Sequence, residues 1–169
     1  MENTARVARL VVLNTGLFST SERWPTPGFL RWREFAERAG LDLPVGSVVR
    51  SGCLHEPAPE VIAAYDAPFD TRESKAGAAR FPLLVPLTAD DPGAAEMLAT
   101  REALGRWTKP ALVCFSDSDP IFSPESARAV ARLIPTAREP DIVEGASHFL
   151  QEDRGEQVAE RILSFVRHT

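Results

Sequence analysis

The residues best suited to chemistry in this sequence are a small group of acids and a lone histidine. The apolar run 111–115 ends in Phe115-Ser-Asp-Ser-Asp-Pro-Ile-Phe122. Roughly thirty residues later a shorter apolar run, Ile142-Val143, ends in Gly145-Ala-Ser-His-Phe-Leu-Gln151. Both read as a strand followed by a functional loop. A carboxylate and an imidazole at the carboxyl ends of adjacent parallel strands are two parts of a nucleophile-acid-histidine triad. The acid fixes the imidazole's tautomer and stabilises its charged form, so that the ring can act as a base. Asp119 is preferred to Asp117 as that acid, because it lies further out of the strand on a loop that Pro120 stiffens.

Three strands and a set of helices must hold these groups. Residues 7–13 form an apolar run that reads as a buried parallel strand. Residues 111–115 and 140–144 supply the other two. Between the first and second strands, residues 28–39 carry Phe29, Trp32, Phe35 and Ala36 at i, i+3, i+6 and i+7, a helical stripe closed by Gly40. On spacing alone Trp32 is a core residue of that stripe. Residues 41–59 read as irregular, broken by Pro44, Gly46, Gly52, Pro57 and Pro59, with His55 as a solvent-exposed side chain. Short helices follow at 59–65 and 73–80, the latter ended by Phe81-Pro82. A longer helix reaches Leu104, with Asp91 as its N-cap and Pro92 at its first position. Trp107 covers the entry of the second strand. A helix that begins near Ser123 and a final one over 151–167 complete the alternation. The expected class is α/β, with 1–17 and 92–169 forming a core and 18–91 an inserted helical cap.

Composition narrows the function classes. The chain has 169 residues, 44% hydrophobic and 25% charged, enough for one core of ordinary size. The net charge is -5 with the two signs interspersed, which argues against a nucleic-acid partner. Two cysteines, Cys53 and Cys114, make no disulfide framework and lack metal-ligand spacing. No metal or other cofactor is expected. No signal or transmembrane segment is visible and no membrane partner is expected, so the expected location is cytoplasmic.

A sheet of this kind normally carries its nucleophile on a G-x-nucleophile-x-G elbow. No two of the ten glycines stand four residues apart, so these 169 residues hold no such elbow. The strand at 7–13 would lie beside the elbow strand, and its free edge is an expected association surface.

Several runs in order resemble one family. Ala64-Tyr-Asp-Ala-Pro-Phe-Asp70, Lys75-Ala-Gly-Ala-Ala-Arg-Phe-Pro82, Phe115-Ser-Asp-Ser-Asp-Pro120 and Gly145-Ala-Ser-His-Phe-Leu-Gln-Glu152 are similar to the haloalkane dehalogenases of the α/β-hydrolase fold. The match covers nearly the whole chain and roughly the carboxy-terminal half of the family. It implies a partial α/β-hydrolase fold: the last three parallel strands with their helices and the cap. It also implies a small haloalkane substrate and a halide ion as partners, with His148 as base and Asp119 as its acid. A second branch of the family places a glutamate after the sixth strand, where Asn14 stands here. Gly28-Phe-Leu-Arg-Trp32 matches the family's cap motif and implies Trp32 as a halide ligand. Phe29, Phe81, Pro82, Val85, Ile121 and Phe122 match its apolar pocket.

The family's nucleophilic aspartate, the tryptophan after it and the oxyanion loop fall outside the matched region. The chain alone is therefore expected to be nearly inactive, the cap and acid/base half of a hydrolase whose amino-terminal half would be a partner. A non-catalytic remnant or small-molecule binding module is the alternative of a different class. An epoxide hydrolase-like enzyme is a further one, and it would need cap tyrosines, of which Tyr65 is the sole candidate.

Overall fold

The computed structural model describes residues 4–20 and 24–169. Three parallel strands, β1 (Leu10–Leu13), β2 (Ala111–Ser116) and β3 (Asp141–Val143), form a sheet in the order β1-β2-β3. Leu10 pairs with Ala111 and Leu13 with Cys114, while Cys114 pairs with Asp141 and Ser116 with Val143. The central strand, β2, is buried on both faces, as its unbroken apolar sequence requires. One face packs Val113 and Phe115 with Trp107, Ala127, Ala131 and Ile134, the middle two from α6 (Pro124–Leu133). The other packs Cys114 with Val143, Ala146, Leu150 and Val158, the last two from α7 (Leu150–Asp153) and α8 (Gly155–Arg167). β1 is shorter than its apolar run. Among the described residues it pairs only with β2, and Val11 is 38% exposed.

Between β1 and β2 lie α1 (Pro27–Ala39), α2 (Val45–Ser51), α3 (Pro59–Asp66), α4 (Ala76–Leu84) and α5 (Ala94–Leu104). In α1 the Thr26 hydroxyl accepts from the Phe29 amide, and the apolar stripe divides. Phe29 and Ala36 are buried, whereas Trp32 is half-buried and Phe35, stacked on it, is exposed.

Four local expectations need correction. The segment expected to be irregular contains α2. Its valines and Gly46 are poor helix formers, and tertiary contacts hold it instead. The Asp66 carboxylate accepts from the Gly46 amide at 2.7 Å, and a Cβ at Gly46 would meet Ile62 Cγ2 at 2.8 Å. α4 runs past Phe81-Pro82 to Leu84, because the Arg33 guanidinium donates to the carbonyls of Pro82 (2.8 Å) and Val85 (3.0 Å) and satisfies the helix end. Asp91 does not cap α5. Its Oδ2 accepts from the amides of Leu87 (2.8 Å) and Thr88 (3.0 Å), closing the preceding turn, and Gly93 at φ +86° takes the N-cap. At the other end of the chain, the expected last helix is divided at Arg154 into α7 and α8.

Candidate active site

The loops after all three strands meet at one end of the sheet. After β2, Asp119 is buried with its side chain fully enclosed. Its Oδ1 accepts from the Ile121 amide at 2.7 Å, a turn closed by the side chain, and its Oδ2 faces His148 Nδ1 at 2.9 Å. A carboxylate only accepts, so Nδ1 carries the proton and Nε2 is left as the basic nitrogen. The His148 side chain is 30% exposed and lies on a cavity wall. This is the acid–histidine geometry of a hydrolytic triad.

Asp117, the acid passed over, faces the other way. Its carboxylate accepts from the amides of Gly145 (3.1 Å) and Ala146 (3.3 Å), which bends the chain between β3 and His148. The Gly145 hydrogen bond holds its carboxyl below the ordinary range against a smaller opposing effect of burial. Gly145 sits at φ +70°, a backbone conformation that favours glycine.

After β1, Asn14 does more than occupy the place of an alternative acid. Its Nδ2, whose two N–H bonds are shared among three acceptors, lies 2.9 Å from Ser116 Oγ and from the carbonyls of Ser147 and His148, and its Oδ1 accepts from the Ser116 amide. One buried amide therefore joins all three strand-end loops and fixes the backbone of the histidine itself. Its φ of +25° is one that asparagine tolerates. The sequence signal was an amide rather than an acid at a strand's carboxyl end, and only the fold shows what it reaches.

The cavity beside His148 has a volume of about 530 Å³. Trp32 and Phe35 of α1, Val48 of α2, Ile121 and Phe149 give it an apolar wall, and Arg31, Ser47 and Ser51 also line it. The indole N–H of Trp32 has no hydrogen-bond partner among the described residues. Of the residues expected in the pocket, Trp32 and Ile121 line this cavity with His148. Phe122 is not among the residues lining it, and its ring stacks on that of His148 with centroids 6.1 Å apart. Phe29 is buried against Trp24, Pro82 and Val85 serve Arg33, and Phe81 is 70% exposed.

Gly28 sets the distance between the cavity's two sides. A Cβ there would collide with the Pro120 carbonyl oxygen and meet Ile121 Cα at 3.2 Å, so the first turn of α1 lies backbone to backbone on the acid loop. That is the physical reason for a glycine ahead of Phe29. Among the described residues no cluster of His, Cys, Asp and Glu could hold a metal, and no helix is long and apolar enough to cross a membrane.

A parallel sheet covered on both faces, with an acid and a histidine on successive strand-end loops, is part of an α/β-hydrolase fold. No family model matches the chain. It is 42% identical over 164 residues to a haloalkane dehalogenase of Mycolicibacterium paratuberculosis, covering 97% of this chain and 54% of that protein. It is also 42% identical over 168 residues to haloalkane dehalogenase 1 of Mycobacterium tuberculosis, covering 99% of this chain and 55% of that one. The solved tetrameric structure of the haloalkane dehalogenase DpaA from Paraglaciecola agarilytica superposes with a TM-score of 0.73 at 27% identity, over 90% of this chain and 50% of that one. The chain is thus a relative of the haloalkane dehalogenases, and it spans about half the length of the curated relatives that it matches.

Proposed function

We propose that this chain carries the base, the orienting acid and the cap of a haloalkane dehalogenase-like hydrolase, with residues 18–91 as the cap. The observation that carries the reading is that His148, hydrogen-bonded to the enclosed Asp119, lies on the wall of an apolar cavity that Trp32 also lines. In the proposed reaction a carboxylate from a segment outside these 169 residues attacks the halogen-bearing carbon. The carbon–oxygen bond forms as the carbon–halogen bond breaks, and halide leaves with the bonding pair. That step needs no proton removed. His148 Nε2 then takes a proton from water as the water oxygen bonds to the ester carbonyl carbon. The bond from that carbon to the alkyl oxygen breaks, the alkoxide leaves as alcohol with the proton from His148, and the carboxylic acid so formed loses its proton to solvent. Asp119 holds the ring and stabilises its charged form. Trp32 donates to the departing halide.

The tyrosine chemistry of an epoxide hydrolase has less support. The Tyr65 hydroxyl donates to Glu152 at 2.5 Å, and Tyr65 is not among the residues lining the cavity. The test is complementation. The purified chain is assayed for bromide release from a short dibromoalkane, alone and mixed with the amino-terminal half of the M. paratuberculosis relative. Release by the mixture and not by either half supports the proposal. No release in any arm, despite formation of a complex, supports a binding module instead.

A further inference from the structure

His148 lies on a short loop, and one carboxylate accepts from both that loop and the cap segment facing it. Asp153, at the end of α7, is half-buried and makes no ion pair among the described residues. Its Oδ1 accepts from the amides of His55 (2.8 Å) and Leu54 (3.0 Å), on the segment between α2 and α3. Its Oδ2 accepts from Leu54 (2.9 Å) and from Ser147 (2.8 Å), the residue before His148. Other contacts run along the same seam. The Phe149 amide donates to the Gly52 carbonyl at 3.1 Å, and His55 Nε2 lies 3.2 Å from the Gly145 carbonyl. A Cβ on Gly52 would meet the Phe149 ring at 2.6 Å, so the two segments are in direct contact.

We propose that Asp153 is a positioning residue, a clamp that ties the cap segment 52–56 to the histidine loop and so sets where His148 stands relative to the α2 wall of the cavity. The two oxygens divide the work. One faces the cap amides and the other faces Ser147, with Leu54 bridging. Replacement by asparagine keeps the shape but leaves one acceptor oxygen, and the new amide group sets its N–H bonds against backbone N–H bonds on the other side. Either the cap segment or the histidine loop must come loose. Neutral hydrogen bonds elsewhere on the seam do not replace it, because charge-assisted bonds to a carboxylate are the stronger kind.

The functional meaning of the clamp rests on His148 being the base, but its existence does not, and the test reads the chain by itself. Backbone amide exchange and the His148 ring resonances are compared by NMR in the parent chain, in Asp153→Asn and in Asp66→Asn. Asp66 also accepts from a cap amide, that of Gly46, yet it makes no hydrogen bond to the histidine loop. In Asp153→Asn, exchange at Leu54, His55 or Ser147 should quicken by roughly tenfold or more, the loss of about one hydrogen bond. The His148 ring resonances should shift or broaden with it. In Asp66→Asn, Gly46 should exchange faster while the His148 ring is unmoved. Unaltered His148 resonances in Asp153→Asn, or the same change in both variants, would overturn the proposal. If Asp153→Asn does not fold, the parent chain decides. In low urea, Leu54, His55 and Ser147 should open in one cooperative event, and separate openings would refute the clamp.

Discussion

A methyl group added at residue 28 should have the opposite effect to the same group added at residue 77. In Gly28→Ala the Cβ enters the space of the Pro120 carbonyl, with the carbonyl carbon at 2.9 Å and Ile121 Cα at 3.2 Å. These are backbone atoms, so α1 or the acid loop must move. Overpacking of this kind costs about 1–3 kcal/mol, and the better helix propensity of alanine returns at most about 1 kcal/mol of it. The net expectation is a loss of about 1–2 kcal/mol, at roughly 2–4 °C of melting temperature per kcal/mol for a chain of this size. At Gly77, also in a helix, the nearest atom to a Cβ is Phe81 Cε2 at 4.0 Å, so Gly77→Ala should gain up to about 1 kcal/mol. Thermal and urea unfolding of the three proteins, followed by circular dichroism, reads both signs. A Gly28→Ala melting point equal to or above that of the parent would refute the close approach of α1 to the loop that carries Asp119.

Further expectations concern the groups around the histidine. Asn14→Ala strands two carbonyls and one amide at the strand ends and should cost at least about 2 kcal/mol in urea unfolding; a loss below about 0.5 kcal/mol would show that water replaces it. Tyr65 is the chain's sole tyrosine, and its hydrogen bond to Glu152, aided by burial, pushes its hydroxyl up to about 12. Ultraviolet titration should therefore find phenolate forming well above the ordinary range, and Glu152→Gln should bring it back toward about 10. Because the folded value is raised, its contribution to stability is complete below about pH 10 and is lost as pH rises toward 12. A tyrosine titrating near its ordinary value in the parent would contradict the contact.

The acid and the histidine were legible because both lie just beyond apolar runs, and strand ends in α/β sheets place such loops together. The choice between Asp117 and Asp119 followed from distance along the loop, and the two carboxylates do different work, one bending the chain and the other facing the ring. Much less legible were features made by contacts remote in sequence. α2 has weak intrinsic helix formers and is held by Asp66, about twenty residues on, which takes the amide of its second residue, Gly46. α4 continues past Pro82 to Leu84, and Arg33, from another helix, satisfies carbonyls at that end. The roles of Asn14 and Asp153 depend on partners about one hundred residues away. The apolar pocket residues show the same limit. Phe29, Phe81 and Ile121 are alike in type, yet one is buried away from the cavity, one is largely exposed, and one lines it.

If His148 is the base of the second step and has no part in the first, its removal should stop the reaction halfway. Intact-protein mass spectrometry on the complemented assembly reads that outcome. His148→Ala is mixed with the amino-terminal half and exposed to 1,2-dibromoethane. The expected result is release of a single equivalent of bromide per site, followed by accumulation of a bromoethyl ester on the complementing half, where the nucleophile is expected. Continued turnover by His148→Ala, or no ester and no bromide from an assembly whose parent turns over, would contradict that role.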